Sequence, residues 1–109
     1  MRFGIIGSGS WATAIAKILT DSHHTLNWWI RNEATIRHLE KYRHNPQYLS
    51  SVYFDPGKLK PGSDLISVIR DSDCLIVAVP SAYIEKIFEK LPVDIFEGKQ
   101  ILSAVKGIL

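Results

Sequence analysis

The chain is poor in cysteine, in long apolar runs and in charge of one sign, and each shortage excludes something. A single cysteine, Cys74, rules out an intrachain disulfide. It stands inside the apolar run Cys74-Leu75-Ile76-Val77-Ala78-Val79 with no cation adjoining it in sequence, so it reads as a small buried side chain, not a reactive thiol. No apolar stretch approaches the roughly 20 residues of a membrane span. Gly4, Gly7 and Gly9 interrupt the N-terminal apolar segment at once, so it does not read as a signal peptide. A cytoplasmic protein is expected. Lys and Arg number 13 against 11 Asp and Glu, a net charge of +2, and they are scattered. A nucleic-acid partner is not expected from so mild a balance. Repeats and low-complexity tracts are absent.

What remains is a globular composition. Hydrophobic residues make up 46% and charged residues 22% of 109 residues, enough to bury one core and too few residues for two domains. Residues 1–109 are therefore read as one domain.

Strand and helix patterns alternate along the chain. Arg2 to Ile6 reads as a first strand, and Trp11 to Thr20 as a helix with Ala12, Ile15, Ala16 and Leu19 on one face. Thr25 to Ile30 is a second strand, in which Trp28 and Trp29 point to opposite faces as packing residues. Glu33 to Arg43 is a charged amphipathic helix, stopped at Asn45-Pro46. Residues 47–63 are irregular, with Val52 to Phe54 as a short strand between loops. Ser63 caps a short helix from Asp64 to Arg70. Cys74 to Val79 shows no alternation, as a strand buried on both faces would. Pro80 stops it, Ser81 caps a helix from Ala82 to Leu91, and Gln100 to Val105 is a further strand. This order predicts an α/β fold of the Rossmann type, a doubly wound parallel sheet covered by helices.

The first loop carries the chemistry. Gly7-Ser8-Gly9-Ser10-Trp11-Ala12 fits G-x-G-x-x-A, at the end of a strand and the start of a helix. Gly7 permits the turn, Gly9 lets a pyrophosphate approach the backbone, and Ala12 lets the helix pack closely on the strand. Ser10 adds a hydroxyl donor where the helix offers its unpaired N–H groups and positive dipole end. The residue ending the second strand decides between cofactors: an NAD-selective site carries an acid there for the ribose hydroxyls. Here it is Arg31, which suits a 2′-phosphate, while Glu33 nearby keeps NAD open. Lys106 follows a strand and precedes Gly107, at a carboxyl end where open α/β sheets bind ligands, and its cation could hold a phosphate or polarise a carbonyl.

Other residue clusters carry less. His23 and His24 adjoin but point apart, without a third ligand at metal spacing, so no metal is expected. His38 and His44 read as solvated residues of a charged helix. Ser81 lacks the glycine-bounded elbow of a hydrolase nucleophile.

Four blocks in order resemble one family. Gly7-Ser8-Gly9-Ser10-Trp11-Ala12-Thr13-Ala14-Ile15-Ala16 is similar to the glycine-loop signature of the NAD(P)-dependent glycerol-3-phosphate dehydrogenases. Asn45-Pro46-Gln47-Tyr48-Leu49, Ala78-Val79-Pro80-Ser81 and Ser103-Ala104-Val105-Lys106-Gly107-Ile108 resemble its later blocks. The resemblance implies reversible hydride transfer between NADH or NADPH and dihydroxyacetone phosphate, giving sn-glycerol 3-phosphate for phospholipid synthesis. It implies Ser10 and Trp11 at the pyrophosphate, Arg31 beside the adenosine ribose, Tyr48, Pro80 and Tyr83 along the cofactor, and Lys106 reaching both cofactor and substrate. The family's proposed acid/base lysine belongs to a second, helical domain. No catalytic residue is therefore expected within these 109 residues, and the chain alone is expected to be inactive. Ile101, Leu102, Ile108 and Leu109 form an apolar edge that invites association, a homodimer included. Two alternatives stand beside this reading: another two-domain dehydrogenase of the 6-phosphogluconate or ketopantoate type, and a non-catalytic nucleotide-sensing module.

Overall fold

A computed structural model describes residues 1–104. Five parallel strands form one sheet in the order β3-β2-β1-β4-β5. They are β1 (Phe3–Ile6), β2 (Leu26–Trp29), β3 (Leu59–Gly62), β4 (Cys74–Val77) and β5 (Gln100–Ser103), with helices α1 (Ser10–Asp21), α2 (Glu33–Tyr42), α3 (Leu65–Arg70) and α4 (Ser81–Phe88) between them. The expected Rossmann architecture is what the chain adopts.

Each face of the sheet has its own core. Residues at alternate positions separate them, as a two-residue period requires. Ile5, Trp28 and Ile76 join Ala12 and Ala16 of α1 and Ile36 and Leu39 of α2 on one face. Ile6, Trp29, Leu75 and Val77 join Val68 and Ile69 of α3 on the other, where Ile84, Ile87, Phe88 and Leu91 pack as the expected stripe. The two adjacent tryptophans thus serve opposite cores. Cys74 is buried and free, as its apolar surroundings in sequence indicate.

Three elements depart from the sequence reading. Val52 to Phe54 is not a strand; Phe54 is instead a buried plug in the first core, ring to ring with Trp28. The third strand lies later, at Leu59–Gly62, and contains Pro61. Among the described residues it pairs with β2 alone, at the sheet edge, where a missing N–H breaks no second ladder. Helix α2 ends before Asn45-Pro46: Arg43 takes a left-handed conformation (φ 66°) and its N–H bonds the Leu39 carbonyl. His44 therefore lies outside the helix and packs against His38, ring centroids 4.7 Å apart, so both are half-buried and not solvated.

The caps differ in detail. Pro80, not Ser81, is the N-cap of α4, and Asp64, not Ser63, that of α3. The Ser63 hydroxyl donates to Glu33 instead. Ile101 and Leu102 on edge strand β5 are about half exposed, as expected. Val105, Lys106, Gly107, Ile108 and Leu109 lie outside the described residues.

Candidate functional site

β1 and β4 are neighbours in the sheet although far apart in sequence, and the order of connection reverses between them. Their helices cover opposite faces, which opens a crevice at the carboxyl ends, the place where such sheets bind ligands. The glycine loop enters that crevice from β1, and Ala78, Val79 and Pro80 enter it from β4.

The loop's shape has local causes. Gly7 has φ +120°, and a Cβ added there would stand 2.5 Å from the Ala78 carbonyl oxygen. Only glycine fits, for its conformation and for the close approach. Its carbonyl accepts the buried Trp28 indole N–H at 2.6 Å, and its N–H donates to the Trp29 carbonyl at 3.2 Å. Gly9 is different: it is the extended N-cap of α1, and a Cβ added there would meet nothing within 4 Å. Its missing side chain leaves open space facing the crevice. Its carbonyl accepts the Thr13 N–H at 2.9 Å and the Thr13 hydroxyl at 2.7 Å, which starts the helix.

Asn45 ties a distant loop to this turn. Its side chain is almost wholly buried; Nδ2 donates to the Ser8 carbonyl and to the Thr13 hydroxyl, each at 3.1 Å. Its Oδ1 accepts the backbone N–H groups of Gln47 at 2.9 Å and Tyr48 at 3.2 Å. One amide thereby fixes Tyr48 relative to the glycine loop.

The crevice is a cleft of about 630 Å³, within the range of small-ligand sites. It brings together Gly7, Gly9, Arg31, Tyr48, Pro80 and Tyr83 of the residues singled out in the sequence. Ser8, Trp29, Gln47, Leu65, Ala78, Val79, Lys86 and Ile87 complete its lining. Ser10 and Trp11 open α1 but do not line the cleft, and Ala12 is fully buried in the first core. Lys106 lies outside the described residues.

Its charge is one-sided. Among the described residues Arg31 and Lys86 line the cleft and no carboxylate does. Among the described residues neither cation makes an ion pair. Glu33, the acid just past β2, is engaged by the Ser63 hydroxyl. Leu65, Val79 and Ile87 give apolar wall for a flat ring, and Tyr48 and Tyr83 stand partly exposed at the rim. A glycine cradle at a helix start, two cations and apolar walls fit a phosphate-bearing dinucleotide. Among the described residues no imidazole, carboxylate or thiol lines the cleft. Among the described residues no three His, Cys, Asp or Glu side chains gather as metal ligands would.

Two contributors escaped the sequence reading. Asn45 was legible as a helix stop and as the start of a family block, but not as the tie between the two loops. Lys86 carries no motif, but it stands three residues after Tyr83 on a helix, on the same face.

A parallel sheet of this order with a glycine loop at its point of reversal defines a nucleotide-binding Rossmann domain. The family described as NAD-dependent glycerol-3-phosphate dehydrogenase N-terminus matches residues 2–109, and the chain belongs to that family. It is 34% identical over 108 residues to the glycerol-3-phosphate dehydrogenase [NAD(P)+] of Leptospira biflexa, covering 99% of this chain and 32% of that protein. It is 31% identical to the enzyme of the same name from Pseudomonas fluorescens, covering 95% of this chain and 30% of that one. The chain thus spans about a third of the length of the curated relatives it matches. The crystal structure of glycerol-3-phosphate dehydrogenase from Coxiella burnetii superposes with a TM-score of 0.86 at 24% identity, over 98% of this chain and 33% of that one, a likeness of fold.

Proposed function

We propose that this chain is the cofactor-holding domain of an NAD(P)-dependent glycerol-3-phosphate dehydrogenase, which interconverts dihydroxyacetone phosphate and sn-glycerol 3-phosphate. The observation that carries the reading is Gly9: family membership assigns a dinucleotide, and the absent side chain leaves space for one at the start of α1. Bound NAD(P)H supplies the hydride. This chain's residues bind and orient it. Gly7 shapes the loop, and Gly9, with Ser10 and Trp11 beside it, receives the pyrophosphate at the N-terminus of α1. Ala12 keeps that helix close to β1. Arg31 faces the adenosine ribose, and Tyr48, Pro80 and Tyr83 border the path towards the nicotinamide. Lys106, outside the described residues, holds cofactor and substrate. The acid/base group comes from a second, helical domain, so residues 1–109 alone bind cofactor without turning over substrate. Phospholipid synthesis in the cytoplasm is the setting the reading implies. No described helix is long and apolar enough to cross a membrane. The half-exposed pair Ile101 and Leu102 supports a homodimer through β5, which sedimentation at several concentrations tests.

The test of the reaction is NADH and NADPH absorbance, with and without dihydroxyacetone phosphate, on the protein expressed from its complete reading frame. Substrate-dependent oxidation is expected. Cofactor binding without oxidation overturns the glycerol phosphate assignment and leaves the dinucleotide site standing.

A further inference from the structure

Among the described residues two cations line the cleft, and Arg31 is one of them. The other, Lys86, lies on α4, and Tyr83, Lys86 and Ile87 occupy positions i, i+3 and i+4 of that helix. Such positions share one helix face, and all three line the cleft. β1 lies between the strands that deliver the two cations, so they enter from opposite sides of the glycine loop.

The chemistry of the lining selects the ligand group they meet. The pyrophosphate is served by backbone at the helix start, which needs no side-chain cation. The adenosine ribose lies at the end of β2, where an acid would bind its 2′- and 3′-hydroxyls and repel a 2′-phosphate. Here that position is Arg31, no carboxylate among the described residues lines the cleft, and Glu33 is held by Ser63. Two like charges that no described carboxylate pairs in a concave site repel each other until an anion arrives, and a dianion relieves that repulsion most. A lysine suits the second position: its compact ammonium on a flexible stem meets a phosphate as a point charge, while the arginine presents a planar fork.

Resting on the dinucleotide reading above, we propose that Lys86 is a specificity-determining residue, closing with Arg31 on the adenosine 2′-phosphate and so favouring NADPH over NADH. Nothing in the glycine motif assigns it this part.

The test is isothermal titration of the full-length protein with 2′,5′-ADP, 5′-AMP, NADPH and NADH, for the unaltered chain and for Lys86→Met and Lys86→Arg. Lys86→Met is expected to weaken 2′,5′-ADP and NADPH about tenfold, the scale of one charge-assisted hydrogen bond. Binding of 5′-AMP and NADH, which lack the 2′-phosphate, is expected to weaken far less, which also shows the variant to be folded. Lys86→Arg is expected to retain the preference. Equal weakening of all four ligands, or of none, overturns the clamp while leaving the dinucleotide site intact. Failure of the unaltered protein to bind any of the four overturns the dinucleotide reading itself and the clamp with it.

Discussion

Asn45 and Ser8 are 37 residues apart, and one hydrogen bond of 3.1 Å from the Asn45 amide to the Ser8 carbonyl joins them behind the glycine loop. The same side chain satisfies the Thr13 hydroxyl and two backbone N–H groups. Asn45→Ala strands several buried polar groups and is expected to cost about 2–3 kcal/mol. Asn45→Asp is expected to do no better, because a carboxylate has no hydrogen to give the Ser8 carbonyl. Chemical denaturation measures both. Dinucleotide affinity should fall in each variant, since Tyr48 loses its tie to the loop.

Gly7 and Gly9 separate folding from binding. An alanine at position 7 must take φ +120° against the Ala78 carbonyl, and the expected loss is about 2 kcal/mol or more. An alanine at position 9 keeps an ordinary extended conformation and meets open space, so stability should stay within about 0.5 kcal/mol. On the proposed reading its methyl group stands where the pyrophosphate approaches, so cofactor binding should be lost. Paired melting and titration curves check this. A Gly9→Ala protein that binds as before would remove Gly9 from the site.

The Trp28 indole donates its only N–H to the Gly7 carbonyl in a fully buried setting. Trp28→Phe keeps an aromatic ring there but leaves the carbonyl unpaired and opens space beside Phe54. A loss of about 2–4 kcal/mol is expected in urea denaturation, from the unpaired carbonyl and the lost volume together.

Acid should loosen the seam between β1 and β4. The Arg2 guanidinium and backbone N–H hold the Asp73 carboxyl below the usual aspartate range, the side-chain hydrogen bond first. A group whose pKa is depressed by folding stabilises the fold above its unfolded value, near 4, and that contribution fades as pH falls through the folded value. Asp64, held low chiefly by the Ser67 hydroxyl, acts in the same direction. Asp73→Asn should therefore flatten the dependence of stability on pH below about 4 and lower stability slightly at pH 7. Denaturation midpoints measured across that range decide it.

Much of this arrangement was legible in the sequence. The Trp28-Trp29 pair reveals two cores because strand residues alternate, and the unbroken run from Cys74 betrays a strand covered on both faces. Gly7 and Gly9 announce their turn by spacing alone. What stayed hidden depends on contacts that spacing does not encode. Leu59-Lys60-Pro61-Gly62 has no strand-like pattern, and only its place at the sheet edge excuses the proline. Asn45 before Pro46 is a stop signal in any chain, and its grip on Ser8 arises when the loop folds back. Lys86 reads as one more solvated lysine until α4 is laid beside the glycine loop.

The two adjacent tryptophans also make the chain its own optical instrument. Trp28 is sealed in one core against Phe54, and Trp29 belongs to the other while lining the cleft. Denaturation must change the emission of both, whereas a molecule entering the cleft touches only the second. Trp11, half exposed at the start of α1, contributes a third emission beside the glycine loop. Excitation at the indole band then distinguishes an occupied site from a loosened core in a single spectrum, without any attached dye.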